Sequence, residues 1–179
     1  TGAAFAAFQP LARRADIDGK RIGLYGISQG GWLAPLAATR VQGVAFLILD
    51  KGSACTTEEQ EMQRVEYSLR ADGVPEPEIA EALDYTRLVF QVAYRGQAWP
   101  ELEAATKKAR DKKWAETAQL TETEKDVEGW RRERIDPVPI LKRTKIPVLA
   151  LFGERDTLVP PAENADKMRR YLEEAGNRD

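Results

Sequence analysis

The chain has 179 residues, of which 42% are apolar and 31% charged, a composition typical of a folded globular domain and unlike that of a disordered segment. Lys and Arg number 27 against 29 for Asp and Glu, so no positive excess exists to neutralise a phosphate backbone, and no nucleic-acid partner is expected. The apolar runs AFLILD and VLALFG fall far short of the roughly 18 residues that a membrane span needs, so no span is expected.

The chain opens with a predicted helix and a predicted strand. Phe5, Phe8 and Leu11 recur at helical spacing, and Pro10 is expected to kink or restart that helix. RIGLYG (21–26) is a short apolar run bounded by turn residues, which is typical of a strand buried on both faces of a parallel sheet.

The remaining core elements continue the alternation of strands and helices. Helices are predicted over 30–40 and 163–176, and strands over VAFLILD (44–50) and IPVLALFG (146–153). The order predicts an α/β fold, with a parallel sheet flanked by helices. The single cysteine, Cys55, has no partner for an internal disulfide and is expected to be a small buried or half-buried side chain.

The long segment between the second and third strands has a different character. It shows helix-start signals and no strand pattern, and we predict three or four helices in it. The start signals are Thr57 with Gln60, Pro77 with Glu78, and Thr121 with Glu124, and one apolar stripe comprises Ile79, Leu83, Phe90 and Tyr94. We therefore expect residues 1–53 and 136–179 to form an α/β core, with residues 54–135 inserted as a helical cap over the carboxyl edge of the sheet.

The turn GISQGG, which starts at residue 26, fits the G-x-S-x-G pattern between a predicted strand and a predicted helix. In that setting Ser28 is the candidate nucleophile, because a sharp turn presents its hydroxyl beyond the end of the sheet. Gly26 and Gly30 are expected to give the turn its clearance. The backbone N–H of Gln29 lies at a helix N-terminus, where it can stabilise the negative oxygen that forms when a carbonyl is attacked.

A candidate acid follows the third predicted strand, in the loop FGERDTLVPP. Asp156 is the preferred carboxylate, because Glu154 comes too early in the loop and Asp166 lies within the next helix. Asp50 is the alternative acid, since it ends the second strand. A carboxylate there could reach the catalytic histidine of a serine hydrolase from one strand nearer. A role as a turn or capping residue is the other interpretation of Asp156.

The stretches GKRIGLYGISQGGWLAPLAA and IPVLALFGERDTLVPP resemble the nucleophile elbow and the acid loop of the α/β-hydrolase superfamily. The resemblance is to its branch of prolyl-oligopeptidase-like and dienelactone-hydrolase-like enzymes, and it covers residues 15–50 and 136–176. It implies Ser28 as nucleophile, the Gln29 amide as one oxyanion donor and Asp156 as the acid of a triad. It also implies strands before the elbow, and a histidine after one further strand beyond the last helix.

The chain contains no histidine, although serine hydrolases almost always use one as their base. The sequence also begins TGAAFAAF without methionine, and we expect it to be a piece of a longer hydrolase, inactive or nearly so by itself. The alternative is a hydrolase-derived fold that lacks a base and serves as a binding module. The sequence leaves the compartment open, with the cytoplasm favoured, and it leaves the oligomeric state open.

The expected reaction is acyl transfer through an acyl-enzyme, with no metal or organic cofactor. The resemblance implies a small-molecule ester as substrate first and a peptide bond second. Four tryptophans are candidates to line an apolar substrate pocket or, alternatively, to pack helices together: Trp32, Trp99, Trp114 and Trp130.

Overall fold

The computed structural model describes residues 2–178, with side chains described from residue 6 onward, so the expectation for Phe5 lies outside the described part. The chain divides into two compact units. The first unit contains residues 1–56 and 136–179, and the second contains residues 57–135. Each unit has its own hydrophobic core.

A three-stranded parallel sheet forms the centre of the first unit. Its strands are β1 (Leu24–Ile27), β2 (Leu47–Asp50) and β3 (Val148–Leu151), in the order β1-β2-β3. Neighbouring strands pair in parallel, with Gly26 opposite Leu49 and Leu49 opposite Ala150. The predicted α/β fold with a parallel sheet flanked by helices is therefore confirmed. Each strand has four residues and is shorter than its apolar run in the sequence, and β1 ends at Ile27, one residue beyond the predicted run.

Helices flank this sheet in the first unit. They are α1 (Gly2–Ala12), a short 3-10 helix (Gly19–Arg21), α2 (Gly30–Ala38), α8 (Val138–Leu141) and α9 (Pro161–Glu174). α1 runs through Pro10 to its end. The predicted helix after the elbow thus begins at the expected residue, and the predicted last helix begins and ends two residues earlier than expected.

The two faces of the sheet differ in burial. One face belongs to the core, where Leu47 and Leu49 are fully buried and Met168 of α9 packs beside them. The opposite face carries Tyr25, Ile27, Leu149 and Leu151, and all four side chains are exposed. The expectation that β1 is buried on both faces was therefore wrong. Alternate side chains of a strand point to opposite faces, and in the described structure only the core side of β1 is covered.

Five helices make up the second unit. They are α3 (Thr57–Ala71), α4 (Glu76–Arg95), α5 (Trp99–Ala109), α6 (Ala115–Ala118) and α7 (Glu124–Arg132). The sequence predicted three or four, and the additional element is α6, a single turn too short to show a periodic pattern. No strand is found among residues 57–135, as expected.

The helix starts in the second unit fall near the predicted signals. α3 begins at Thr57, whereas the other two predicted signals are displaced. α4 begins at Glu76, just before the predicted Pro77. For α7 the expected cap at Thr121 was wrong, because the capping box is formed by Thr123 and Asp126. Thr121 is instead buried, and its backbone N–H donates to the Tyr85 hydroxyl at 2.8 Å.

The core of the second unit lies around α4. Ile79 and Phe90 of the predicted stripe are buried, while Leu83 and Tyr94 are half-buried. Trp114 is buried in this core, and Trp99 and Trp130 pack against it. The packing interpretation therefore describes what these three tryptophans do within the second unit, and a role in lining a substrate pocket stays a prediction.

Candidate active site

Ser28 lies directly after β1, at the carboxyl end of the strand. Its φ angle is 52°, in the left-handed region that a residue with a side chain seldom adopts. The surrounding backbone fixes this conformation, because the Ser28 N–H donates to the Asp50 carbonyl at 2.9 Å and the Ser28 carbonyl accepts from Gly31 N at 2.8 Å. The side chain is exposed. A strained turn that presents a serine hydroxyl to solvent is the geometry expected of a nucleophile elbow.

Close backbone contacts explain two of the glycines around this turn. A Cβ atom at Gly26 would lie 2.1 Å from the Gly30 carbonyl oxygen. At Gly31, it would lie 2.2 Å from the Cα atom of Gly52, in the loop after β2. At Gly30, in contrast, a Cβ atom would meet no other atom within 4 Å outside its own helix. The expectation that Gly26 and Gly30 give the clearance was therefore right for Gly26 and wrong for Gly30, and Gly31 has that role instead.

Gln29 connects the turn to α2 and is exposed. Its carbonyl accepts hydrogen bonds from Trp32 N at 3.1 Å and Leu33 N at 3.2 Å, which start the helix. Its own N–H donates to no atom of the described residues. An unused N–H at the positive end of a helix is a ready donor for an oxyanion.

Asp156 lies in the loop between β3 and α9. Its Oδ1 atom accepts hydrogen bonds from the backbone amides of Leu158 and Val159, each at 2.9 Å. Its own N–H donates to the Gly153 carbonyl at 3.1 Å. No hydrogen bond to Oδ2 is found among residues 2–178, so one oxygen holds the loop while the other is available for a further donor. Oδ1 therefore has the turn role that the sequence offered as the other interpretation of Asp156. This role leaves Oδ2 able to accept a hydrogen bond from a further group.

Asp50, the alternative acid, is engaged by its neighbours. Its Oδ2 accepts from the Tyr25 hydroxyl at 2.9 Å, and its Oδ1 accepts from Lys51 Nζ at 3.1 Å. The Tyr25 hydrogen bond, with help from Lys51, holds the pKa of Asp50 below its ordinary value. The same hydrogen bond raises the pKa of Tyr25. Both carboxylate oxygens of Asp50 therefore already accept a hydrogen bond, whereas Oδ2 of Asp156 accepts none among the described residues.

Sequence reasoning missed Tyr25 as part of this edge. The sequence pattern places Tyr25 in the interior of a strand, yet the residue is 60% exposed and its hydroxyl donates to Asp50, at the end of the neighbouring strand. A tyrosine three residues before a candidate nucleophile was the available signal. It acquires meaning only when β1 and β2 are known to pair.

The strand ends bring the candidate residues to one edge. β1, β2 and β3 are parallel, so Ser28 and Gln29 after β1 share the carboxyl edge with Asp156 after β3. With about 4.8 Å between neighbouring strands, the ends of β1 and β3 are roughly 10 Å apart. No hydrogen bond joins Ser28 to Asp156 among the described residues. The two side chains therefore lie at the same edge of the sheet without a direct hydrogen bond between them.

The described residues offer neither a metal cluster nor a membrane-spanning helix. No group of three or more His, Cys, Asp or Glu side chains in that part of the chain is arranged to hold a metal ion. Across the same residues, every helix is either too short or too polar to cross a bilayer.

Trp32, in the first turn of α2, is buried, and its indole N–H has no hydrogen-bond partner among the described residues. Cys55 is also buried, as expected, with its sulfur 3.2 Å from Lys167 Nζ.

The parallel sheet with its flanking helices is an incomplete α/β fold. Residues 6–179 match the family described as BAAT / acyl-CoA thioester hydrolase C terminal. Because the match covers nearly the whole chain, the chain belongs to this family, and the predicted resemblance to α/β hydrolases is confirmed. No curated protein and no solved structure matches the chain. At this coarse level the family supports a hydrolase-like activity on acyl compounds.

Proposed function

We propose that this chain carries the nucleophile and the acid of a serine acyl hydrolase. The observation that supports the proposal is the conformation of Ser28, an exposed serine with a φ angle of 52° at the end of a parallel strand. Strained backbone of this kind at a strand-to-helix turn is a feature of functional sites. A simple connecting loop has no need to hold a serine there, since glycine adopts the same conformation without strain.

Each residue of the elbow has a defined part in the proposed reaction. The Ser28 hydroxyl attacks the substrate carbonyl, forming an acyl-enzyme and releasing the leaving group, and water then cleaves the acyl-enzyme. The Gln29 N–H stabilises the oxyanion, a contribution of about 3 kcal/mol for one such donor. Oδ2 of Asp156 orients the base. The 179 residues contain no histidine, so the imidazole that takes the serine proton comes from outside them.

Acyl thioesters are the proposed substrate class, with carboxylic esters as the next. The family description refers to acyl-CoA thioester hydrolysis, which supports thioesters ahead of the ester expected from the sequence alone. A serine nucleophile of this type also cleaves peptide bonds in related mechanisms, and a peptidase is therefore the alternative substrate assignment. Comparing a short acyl-CoA, a p-nitrophenyl ester and a peptide p-nitroanilide as substrates separates the three.

Covalent labelling tests the role of Ser28. A fluorophosphonate probe should label the wild-type full-length protein, whereas Ser28→Ala should remove the label because the attacking oxygen is absent. Ser68→Ala is the matched control, since Ser68 lies in α3 of the second unit and is predicted to leave labelling unchanged. A wild-type protein that stays unlabelled and hydrolyses none of the three substrates would contradict the proposal and favour a binding module.

A further inference from the structure

Asn164 is a fully buried amide in the first turns of α9, with an exposed fraction of 0%. Its Oδ1 atom accepts hydrogen bonds from the Ser53 hydroxyl and from Ala54 N, each at 2.9 Å. Its Nδ2 atom donates to the Pro160 carbonyl at 2.9 Å. A buried amide that bonds on both sides is held in one orientation, because a flip would set like groups against each other.

These bonds connect two loops at the carboxyl edge of the sheet. Ser53 and Ala54 belong to the segment that follows β2, whereas Pro160 ends the loop that carries Asp156. The Ser53 hydroxyl also accepts from Cys55 N at 3.1 Å, so the segment after β2 is itself fixed at this point. Asn164 therefore joins the acid loop to the end of the central strand.

The path from Asn164 to the carboxylate is short. Pro160 directly follows Val159, whose N–H donates to Oδ1 of Asp156 at 2.9 Å. A displacement of Pro160 therefore moves one of the two amides that orient the carboxylate. Loops of this kind otherwise have considerable freedom, and catalytic geometry tolerates little displacement.

We infer that Asn164 is a positioning residue for Asp156. Its hydrogen bonds to Pro160 and Ser53 fix the position of the loop that carries Asp156 relative to the end of β2. The inference rests on the proposed function for the importance of Asp156, and it goes further by assigning the residue that holds this carboxylate in place. Asn164 touches no reacting atom in this scheme, and it acts through the loop.

The chain offers a matched control at the other end of α9. Asn177 is also buried, and its Nδ2 atom donates to the carbonyls of Thr144 and Ile146, at 3.1 Å and 2.8 Å. These carbonyls precede β3, so they lie at the amino end of the strand, away from the acid loop. Asn164→Ala and Asn177→Ala each remove a buried amide from the same unit, and only the first acts on Asp156.

Amide hydrogen exchange gives a test that does not require activity. The exchange rate of Val159 is measured relative to that of Leu49, a buried core amide, so that a change confined to the acid loop is distinguished from a loss of stability of the whole unit. We expect this ratio to rise at least about tenfold in Asn164→Ala and to stay within about twofold of wild type in Asn177→Ala. Equal ratios in the two variants would overturn the inference. If Asn164→Ala does not fold, Ser53→Ala removes one partner of Asn164, and the same ratio should rise by a smaller factor.

Steady-state kinetics with the full-length protein provide a second test of the inference. We expect Asn164→Ala to lower kcat about 10- to 100-fold with KM within about twofold, because the loop orients the catalytic base and does not bind substrate. Asn177→Ala should change neither value at a temperature where both variants are folded. An unchanged kcat in Asn164→Ala would overturn the inference. An inactive wild type would contradict the proposed function instead, and the exchange ratio would still decide whether Asn164 holds the loop.

Discussion

At the scale of single residues, the two candidate acids, Asp156 and Asp50, differ in which of their carboxylate oxygens already accept hydrogen bonds. Asp156 commits Oδ1 to its own loop, while Asp50 has a partner on each oxygen. A carboxylate that orients an imidazole has to accept a hydrogen bond from it. Oδ2 of Asp156 accepts no hydrogen bond within the described residues, whereas an imidazole that bonds to Asp50 would share an oxygen with Tyr25 or Lys51.

This difference predicts unequal effects of removing the two charges. In the full-length protein, Asp156→Asn should lower kcat by about 10³- to 10⁴-fold, because the imidazole loses the group that fixes its tautomer. Asp50→Asn should lower kcat by less than about tenfold. Steady-state rates with a p-nitrophenyl ester measure both. If Asp50→Asn proves the more damaging of the two, the acid role belongs to Asp50.

The hydroxyl of Tyr25 predicts a specific change in the titration of Asp50. Because the Tyr25 bond is the largest cause of the lowered pKa of Asp50, Tyr25→Phe should raise that pKa towards its ordinary value. A lowered folded-state pKa gives stability above the unfolded-state pKa, and this stability is lost as the pH falls through the folded-state value. The variant should therefore lose part of that contribution at neutral pH.

Carboxyl ¹³C NMR titration of the two proteins measures the shift directly. Asp16 serves as the control, because its pKa is lowered by Arg14 and not by Tyr25. Its titration should be the same in both proteins. An unchanged Asp50 titration in Tyr25→Phe would show that Lys51 alone accounts for the lowered pKa.

At the scale of elements, the position of the turn that carries Ser28 depends on how closely α2 approaches the loop after β2. The contact between Gly31 and Gly52 is made by backbone atoms, which cannot rotate away as a side chain can. A side chain here would push the helix from the sheet and displace Ser28 with it. The helix N-terminus that carries the Gln29 N–H is thus positioned by two glycines that lie outside the G-x-S-x-G pattern.

Neighbouring alanine substitutions separate this packing requirement from helix propensity. Gly31→Ala should lower the free energy of unfolding by roughly 1–3 kcal/mol or more, because overpacking against a backbone has no cheap relief. Gly30→Ala should leave it unchanged or raise it by up to about 1 kcal/mol, since alanine favours the helix and nothing obstructs its Cβ atom. Urea unfolding measures both changes, and similar values for the two variants would contradict this account of α2.

At the scale of the whole molecule, the chain contains two units with separate cores. The second unit, residues 57–135, has a core built around α4, with Val65, Leu69 and Leu102 fully buried in it. A buried core of this kind is what an independently folding domain requires. Whether this unit serves as a cap over the strand ends stays a prediction, and we propose that it folds without the sheet.

Expression of residues 57–135 alone tests that proposal. We expect a helical circular dichroism spectrum and a cooperative thermal transition, since the core contacts of this unit are internal to it. Leu102→Ala in the isolated segment should destabilise it by roughly 2–5 kcal/mol, because it leaves a cavity in the core. A segment that stays unfolded would show that its core depends on the rest of the chain.

The sequence by itself determined the alternation of strands and helices, the helical segment between the second and third strands, and the position of the turn between β1 and α2. These features follow from local patterns: apolar runs, helical spacing, and a glycine-rich turn between a strand and a helix. Such patterns predict the local structure of each segment, so they placed Ser28 and its neighbours in a turn between a strand and a helix. They failed for α6, which has only four residues, and for the start of α7, where the sequence signal indicated Thr121 and the helix is capped by Thr123.

Only the tertiary structure decided which sheet face is covered, how the two carboxylates are engaged and which glycines are required. The Tyr25 bond to Asp50 joins residues 25 positions apart, and the Asn164 bond to Ser53 joins residues 111 apart. The requirement for glycine at position 31 likewise comes from a contact distant in sequence, because the backbone of Gly52, in the loop after β2, lies against it. Contacts of this kind arise from strand order and register, which bring together side chains that no local pattern links.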